Sequence, residues 1–470
     1  MRVEACAHRR MRYRTVGVQL ALTALLVLSG HGSAAPASPV SDDRSGLPVG
    51  SELDDDAIEN PREVFHSEAI RGHKSYLSNL GNLAFNSPYI LGDVARKARI
   101  SCGTCHVNGA SNPKLFIPGL STHPGNFDTT SSLFNPLADN GVLDPVTIPS
   151  LRGARFLAPY GRDGRTASLR DFVRNVIVNE FAGPAPSQEI LDAIVVYIED
   201  IDFLANPNLG LGGRLQSSAD PSQRRGEVLF ARPFPHDPGM SCAGCHIPSS
   251  AFVDHRQHDV GSGGLYKTPT LLNADFNGRY FHDGRFDNYG EVIDHFDRVF
   301  DLGLTTQERA DLAAYVGAIG DGVRPEYHLT GTSVLSDING FVSVLDLAIP
   351  RRDTEVVALA VRNESEQLQD LADHYPDPKG GEISGGTLER SRARAAIAAL
   401  MDILHRIELD VGAARFEEAA AEYQNYRKLS FAAAALAQTA EPWSLFNPAL
   451  HAARQSALLQ QATATTATSR

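Results

Sequence analysis

Cys102-Gly103-Thr104-Cys105-His106 and Cys242-Ala243-Gly244-Cys245-His246 are two copies of one pattern, Cys-x-x-Cys-His. The thiols of such a motif can add to the two vinyl groups of a heme, and the adjoining histidine is then placed to ligate its iron. Of the five cysteines in the chain, Cys6 falls in a leader-like segment and the other four all lie inside these motifs. One zinc ion held by four thiolates is the alternative, but it leaves the paired histidines unused. The pattern therefore points to two covalently bound heme c groups. Cys102, Cys105, Cys242 and Cys245 would be the attachment points, with His106 and His246 as proximal ligands.

Outward from the motifs the chain repeats itself. The first motif is followed by Ile148-Pro149-Ser150-Leu151-Arg152 and Tyr160-Gly161-Arg162-Asp163-Gly164-Arg165. The second is followed by Thr268-Pro269-Thr270-Leu271-Leu272 and Tyr280-Phe281-His282-Asp283-Gly284-Arg285. Proline-to-aspartate separation is the same in both, 149 to 163 and 269 to 283, while the first copy carries twenty extra residues after its motif. That insertion is rich in Pro, Gly, Asn and Asp and reads as a loop. Each repeat closes on a helical stripe. One has Ser187 as cap before Ile190–Asp202, and the other has Thr305 with Glu308 forming a capping box.

The flanks carry different signals. Arg9, Arg10, Arg12 and Arg14 precede the apolar run Val16 to Leu28, and small residues follow to Ala37, which predicts an export signal over 1–35. The apolar run is short for a membrane anchor. An acidic lead-in over 36–60 is expected to be flexible, followed by heme domains over 61–215 and 216–330. Residues 331–459 show helical periodicity, and 460–470 form a polar tail expected to be disordered. The fold class expected is mainly α: two cytochrome c-like heme domains in tandem plus a C-terminal helical region. A net charge of −13 argues against nucleic acid, which favours a basic face.

The sixth iron ligand separates electron transfer from peroxide chemistry. Beyond the leader only Met240 and Met401 remain. Met240 stands too close to its own motif to cross the porphyrin, and Met401 lies in an apolar stripe. Histidine candidates are His123 for the first heme and His295, His255 or His258 for the second.

Together, the motifs with Thr-Pro-Thr-Leu and Tyr-Phe-His-Asp-Gly-Arg resemble the bacterial di-heme cytochrome c peroxidase family, which includes the MauG type, over roughly residues 90 to 322. The resemblance implies a peroxide-reactive heme at His106 and an electron-accepting heme at His246. It puts Glu180 near the family's distal acid, where a carboxylate can take a proton from peroxide and return it to the leaving oxygen. The spacing to Glu180 is slightly short, and a solvated loop charge is the alternative. A calcium ion held partly by the backbone carbonyls of Asn277 and Arg279 is also implied, although Thr147 replaces an expected amide ligand. Departures are Phe296 where the family has Met or Tyr, and Arg162 where it often has Trp; the chain's one Trp is Trp443.

The resemblance implies an exported, periplasmic oxidoreductase that reduces hydrogen peroxide with electrons from a small c-type cytochrome or cupredoxin. It would not be an integral membrane protein once the leader is removed, and a homodimer is left open. A MauG-like oxidase of a protein or organic substrate is the second reading, and a non-catalytic di-heme electron carrier is the third.

Overall fold

The structure, a computed structural model, describes residues 46–53, 61–376 and 385–454. The predicted leader, the tail and most of the acidic lead-in lie outside the described residues. Those described fall into two compact units, 46–326 and 327–454. Both are mainly helical, and the named strands are three antiparallel two-residue pairs. No helix among the described residues is long and apolar enough to cross a membrane.

The first unit builds one helix crossing twice. Tyr76–Phe85 packs on Gln188–Asp200, and Pro221–Phe230 packs on Thr306–Gly320. Local sequence starts each of the four helices. The side chains of Ser75, Ser187, Asp220 and Thr305 accept hydrogen bonds from backbone N–H groups of the first turn. Each such cap stabilises its helix by about 1 kcal/mol.

Glycine sets how closely the helices cross. A Cβ on Gly81 would lie 1.8 Å from the Ala193 carbonyl oxygen, and one on Gly226 would lie 2.0 Å from that of Asp311. Four residues on, Phe85 meets Tyr197 and Phe230 meets Tyr315, each with ring centroids 5.1 Å apart. Both tyrosines are buried. Gly81 to Phe85 and Gly226 to Phe230 are thus the same element with the same partners, one contribution of the repeat that its motifs do not reveal.

Two expectations need correction. Of the lead-in predicted to be flexible over 36–60, residues 46–53 are docked: Glu52 and Phe116 exchange backbone hydrogen bonds of 2.7 and 2.8 Å, and Leu53 is buried. This stretch holds a single acid, Glu52, and the Asp54-Asp55-Asp56 run that made the lead-in acidic lies outside the described residues. The helix expected to run to Asp202 ends at Asp200, because Ile201 and Asp202 pair with Phe65 and Val64 as a short strand.

In the second unit, Gly331–Val342, Thr354–Asp373, Thr387–Gly412 and Phe416–Ala440 make a four-helix arrangement, each touching two neighbours. Buried Ala419, Ala433, Ala437 and Ala440 let the last helix sit close, while Ile397, Leu400, Leu404 and Ile407 fill the core. The helical run that starts at Gly331 is broken at Ser343, between Gly331–Val342 and Leu345–Arg351. The Ser343 hydroxyl donates to the Gly340 carbonyl at 2.6 Å, competing with regular helical bonding.

Replacing Gly226 or Gly81 with Ala drives a methyl group into a backbone carbonyl and should cost about 1–3 kcal/mol. Urea melts of the single variants check this, with Gly412→Ala as control, since nothing lies within 4 Å of a Cβ there.

Candidate functional site

Each Cys-x-x-Cys segment forms a single helical turn, Cys102–Cys105 and Cys242–Cys245. The next residue caps it, with the His106 N–H on the Cys102 carbonyl and the His246 N–H on that of Cys242, both at 2.8 Å. The turn sets the two cysteines one helical turn apart with the histidine beside the second, the local arrangement that covalent heme attachment uses. Phe85 lies 6.3 Å from the His106 ring and Phe230 lies 6.3 Å from the His246 ring, so the glycine-set helix crossings also position the histidines.

The imidazoles are oriented by carbonyls. His106 Nδ1 donates to the Pro149 carbonyl at 3.0 Å, and His246 Nδ1 donates to that of Phe252 at 3.1 Å, with the Pro269 carbonyl also facing it. Pro149 and Pro269 are equivalent in the repeat, which explains the shared spacing of that element. A proton held on Nδ1 leaves the Nε2 lone pair for a metal. Burial pulls His106 down to about 4 and also lowers His246, so both rings are neutral near pH 7. These residues suit a heme iron ligand, and no four-thiolate zinc site exists among the described residues. The only cluster of metal-type donors there joins Cys245 to Asp254 and His258, not to another thiol.

The histidine candidates for the second heme are tied elsewhere. His255 Nδ1 meets the Ala158 carbonyl at 2.8 Å, and its Nε2 meets Ser250 Oγ at 3.2 Å. His258 pairs with Asp254 at 2.7 Å, and His295 Nε2 donates to the Val260 carbonyl at 2.7 Å. Phe296 stacks on Phe300, 6.0 Å between centroids. Met240 packs at the margin of the apolar cluster that includes Phe230, Phe252 and Tyr315, and Met401 lies in the second unit beside buried Leu400. His123 sits in the insertion, where its backbone N–H donates to Asn126 Oδ1 at 3.1 Å.

Glu180 is no solvated loop charge. It ends a π-helical turn, Val176–Glu180, with only 7% exposure. Arg165 Nη2 donates to its Oε1 at 2.8 Å and Asn175 Nδ2 donates at 3.3 Å, with Thr129 as a further partner. Burial raises its pKa, and the Arg165 charge and these hydrogen bonds oppose the rise. Arg165 belongs to the Asp-Gly-Arg element, whose contribution here was not legible from spacing. The neighbouring Phe181 meets Phe134 at 4.9 Å and Phe127 at 6.2 Å, forming an apolar wall.

The turn read as a calcium site offers little to a hard cation, which takes about six to eight oxygens. Asn277 Oδ1 is buried without a partner, but the Asn277 carbonyl accepts from Ser111 Oγ at 3.2 Å. Arg279 brings its own cation to that turn and pairs with Asp287 at 2.7 Å. Thr147 Oγ1 hydrogen-bonds the carbonyls of Phe281 and His282. The residues present do not fit a calcium cage.

Residues 225–316 match the family model described as di-haem cytochrome c peroxidase. This segment belongs to the di-haem cytochrome c peroxidase and MauG family. The peroxidase-family match includes the second motif; the first lies outside it and is linked by the repeat within the chain. The chain is 24% identical over 309 residues to the hydrazine synthase subunit gamma of Kuenenia stuttgartiensis, spanning 52% of this chain and 78% of that one. A solved Kuenenia stuttgartiensis hydrazine synthase chain aligns at TM-score 0.40 and 21% identity, covering 63% of this chain and 99% of that one.

Arg165→Leu should destabilise the protein by about 1 kcal/mol at pH 7, because Arg165 is partly exposed and the pair is solvent-screened. The deficit should shrink as pH falls through the Glu180 pKa, since a protonated carboxyl no longer needs the cation. Urea melts of both proteins between pH 4 and 8 measure it.

Proposed function

We propose that the chain is an exported, periplasmic di-heme c-type oxidoreductase that reduces hydrogen peroxide with electrons from a small c-type cytochrome or cupredoxin. Cys102, Cys105 and His106 would hold one heme in the first half of the 46–326 unit, and Cys242, Cys245 and His246 would hold the other in the second. The oxidoreductase class follows from the family; the substrate and the heme count are this reading's own. The heme supplies one-electron redox chemistry when bound.

The chain's own residues handle orientation and protons. Pro149 and Phe252 keep each imidazole in the tautomer that presents Nε2. Reduction of peroxide to two waters consumes two electrons and two protons. A group that takes a proton from one peroxide oxygen and returns it to the other accelerates that step. Glu180 is the observation that carries the reading. It is a buried acid in the same half as His106, lifted by burial toward the working pH and steered by Arg165 and Asn175.

An oxidase acting on a protein or organic substrate is the second reading. Phe296 supports it, because the expected Met ligand of an electron-transfer heme is missing from that helix. The likeness to a protein named as a hydrazine synthase subunit also supports the view that this scaffold serves other substrates.

With the heme-loaded protein, a reduced small c-type cytochrome should be oxidised in a peroxide-dependent manner. Glu180→Gln should lower turnover by about 100-fold or more at unchanged heme content. No turnover, even after prior reduction, would leave the oxidase and the electron carrier. Pyridine hemochrome assay should count two hemes per chain, falling to one in Cys102→Ser/Cys105→Ser.

A further inference from the structure

The seam between the two halves of the first unit holds two cations without an acid to match them. Arg162 Nε donates to the Thr147 carbonyl at 2.8 Å, and the Arg162 carbonyl accepts from the Lys267 N–H at 3.0 Å. Lys267 Nζ donates to the carbonyls of Leu157 and Pro159 at 2.7 and 2.8 Å. Burial lowers both groups, and the Arg162 charge lowers Lys267 further; no carboxylate contributes to either. Asp163 and Asp283, the acids next to Arg162 and His282 in the chain, are paired with arginines, Asp163 with Arg165 at 3.0 Å and Asp283 with Arg285 at 2.6 Å.

Two desolvated like charges cost stability unless an anion accompanies them. Backbone carbonyls solvate Lys267 but neutralise nothing, and the terminal nitrogens of Arg162 have no bond to a described residue. A third polar group faces the same space. The charges of Asp283, Arg285 and, more weakly, Arg162 reach His282, which stacks on Tyr266 with centroids 3.8 Å apart, and its Nδ1 is sealed from solvent without a partner. The charge of Arg162 also reaches His106. Hydrogen bonds thus bring Arg162, Lys267 and His282 to one seam, Arg162 meeting Lys267 directly and His282 through Thr147, beside the first motif. A planar carboxylate matches a guanidinium in two parallel hydrogen bonds.

We propose that Arg162, Lys267 and His282 form a carboxylate seat at this seam, filled by a propionate of the heme held at Cys102, Cys105 and His106. The propionate assignment rests on the di-heme reading. A free small carboxylate would satisfy the same donors, and the test separates the two sources. The seat also places one positive charge close to that heme, which favours its reduced form.

The test compares heme-loaded wild type, Arg162→Gln, Arg162→Lys and Lys267→Met by spectroelectrochemical titration, with and without added acetate. At a fixed potential, the reduced-to-oxidised ratio of one heme should fall on the order of tenfold in Arg162→Gln. That is the size of one charge acting over roughly 10 Å at an effective dielectric of about 20. Arg162→Lys, which keeps the charge, should recover most of the loss, and Lys267→Met gives an independent variant should Arg162→Gln fold poorly. A fall that is equal in both buffers supports the propionate. A fall that appears only without acetate supports the seat and overturns the propionate, because a free acetate would leave with the guanidinium and cancel the lost charge. Unchanged titrations in heme-loaded Arg162→Gln and Lys267→Met overturn the seat alone. A wild-type chain without covalent heme overturns the di-heme reading and the propionate with it.

Discussion

At Gly81 and Gly226 one helix rests directly on the backbone of another, and much of the first unit is arranged around these two contacts. Without a side chain at the crossing, the helices approach closely enough for Phe85 to reach Tyr197 and Phe230 to reach Tyr315. The same phenylalanines stand beside His106 and His246. Helix packing and histidine placement are therefore one problem, solved the same way in each half. A bulkier residue at the crossing would shift the aromatic ring, and the ring would shift the imidazole.

Hydrogen bonds run across the two halves at Thr147 and Arg162. Thr147 bonds the His282 carbonyl through both its N–H and its hydroxyl, Arg162 bonds Thr147, and Lys267 bonds Arg162. Pro149 lies two residues from Thr147 and faces His106; Pro269 lies two residues from Lys267 and faces His246. The two histidines are thus joined by a short path of peptide and hydrogen bonds across the seam.

Much of this was legible as pattern. The Cys-x-x-Cys-His motifs, the proline spacing and the Asp-Gly-Arg copies all sit where the repeat predicts, and the Ser187 and Thr305 caps open the expected helices. Glu180 was readable as a position but not as an environment. Its burial comes from a π-helical turn and from Phe127, Phe134 and Phe181, which converge from distant stretches of chain. The Gly-x-x-x-Phe pairs at 81–85 and 226–230 were available as a signal, since both precede their motifs, but a four-residue spacing gains meaning only once its partner helix is known.

The sequence by itself determined what depends on neighbours along the chain: which turns carry paired thiols beside a histidine, where helices start, and that the plan occurs twice. Covalent spacing and local hydrogen bonding suffice for those. Only the tertiary structure decided which carbonyl holds each imidazole proton, that Arg165 pairs with Glu180, that His255, His258 and His295 are already engaged, and that Arg162 and Lys267 share a seam without an acid. Each of these depends on desolvation and on charges brought together from far apart in the chain, and no local pattern encodes that.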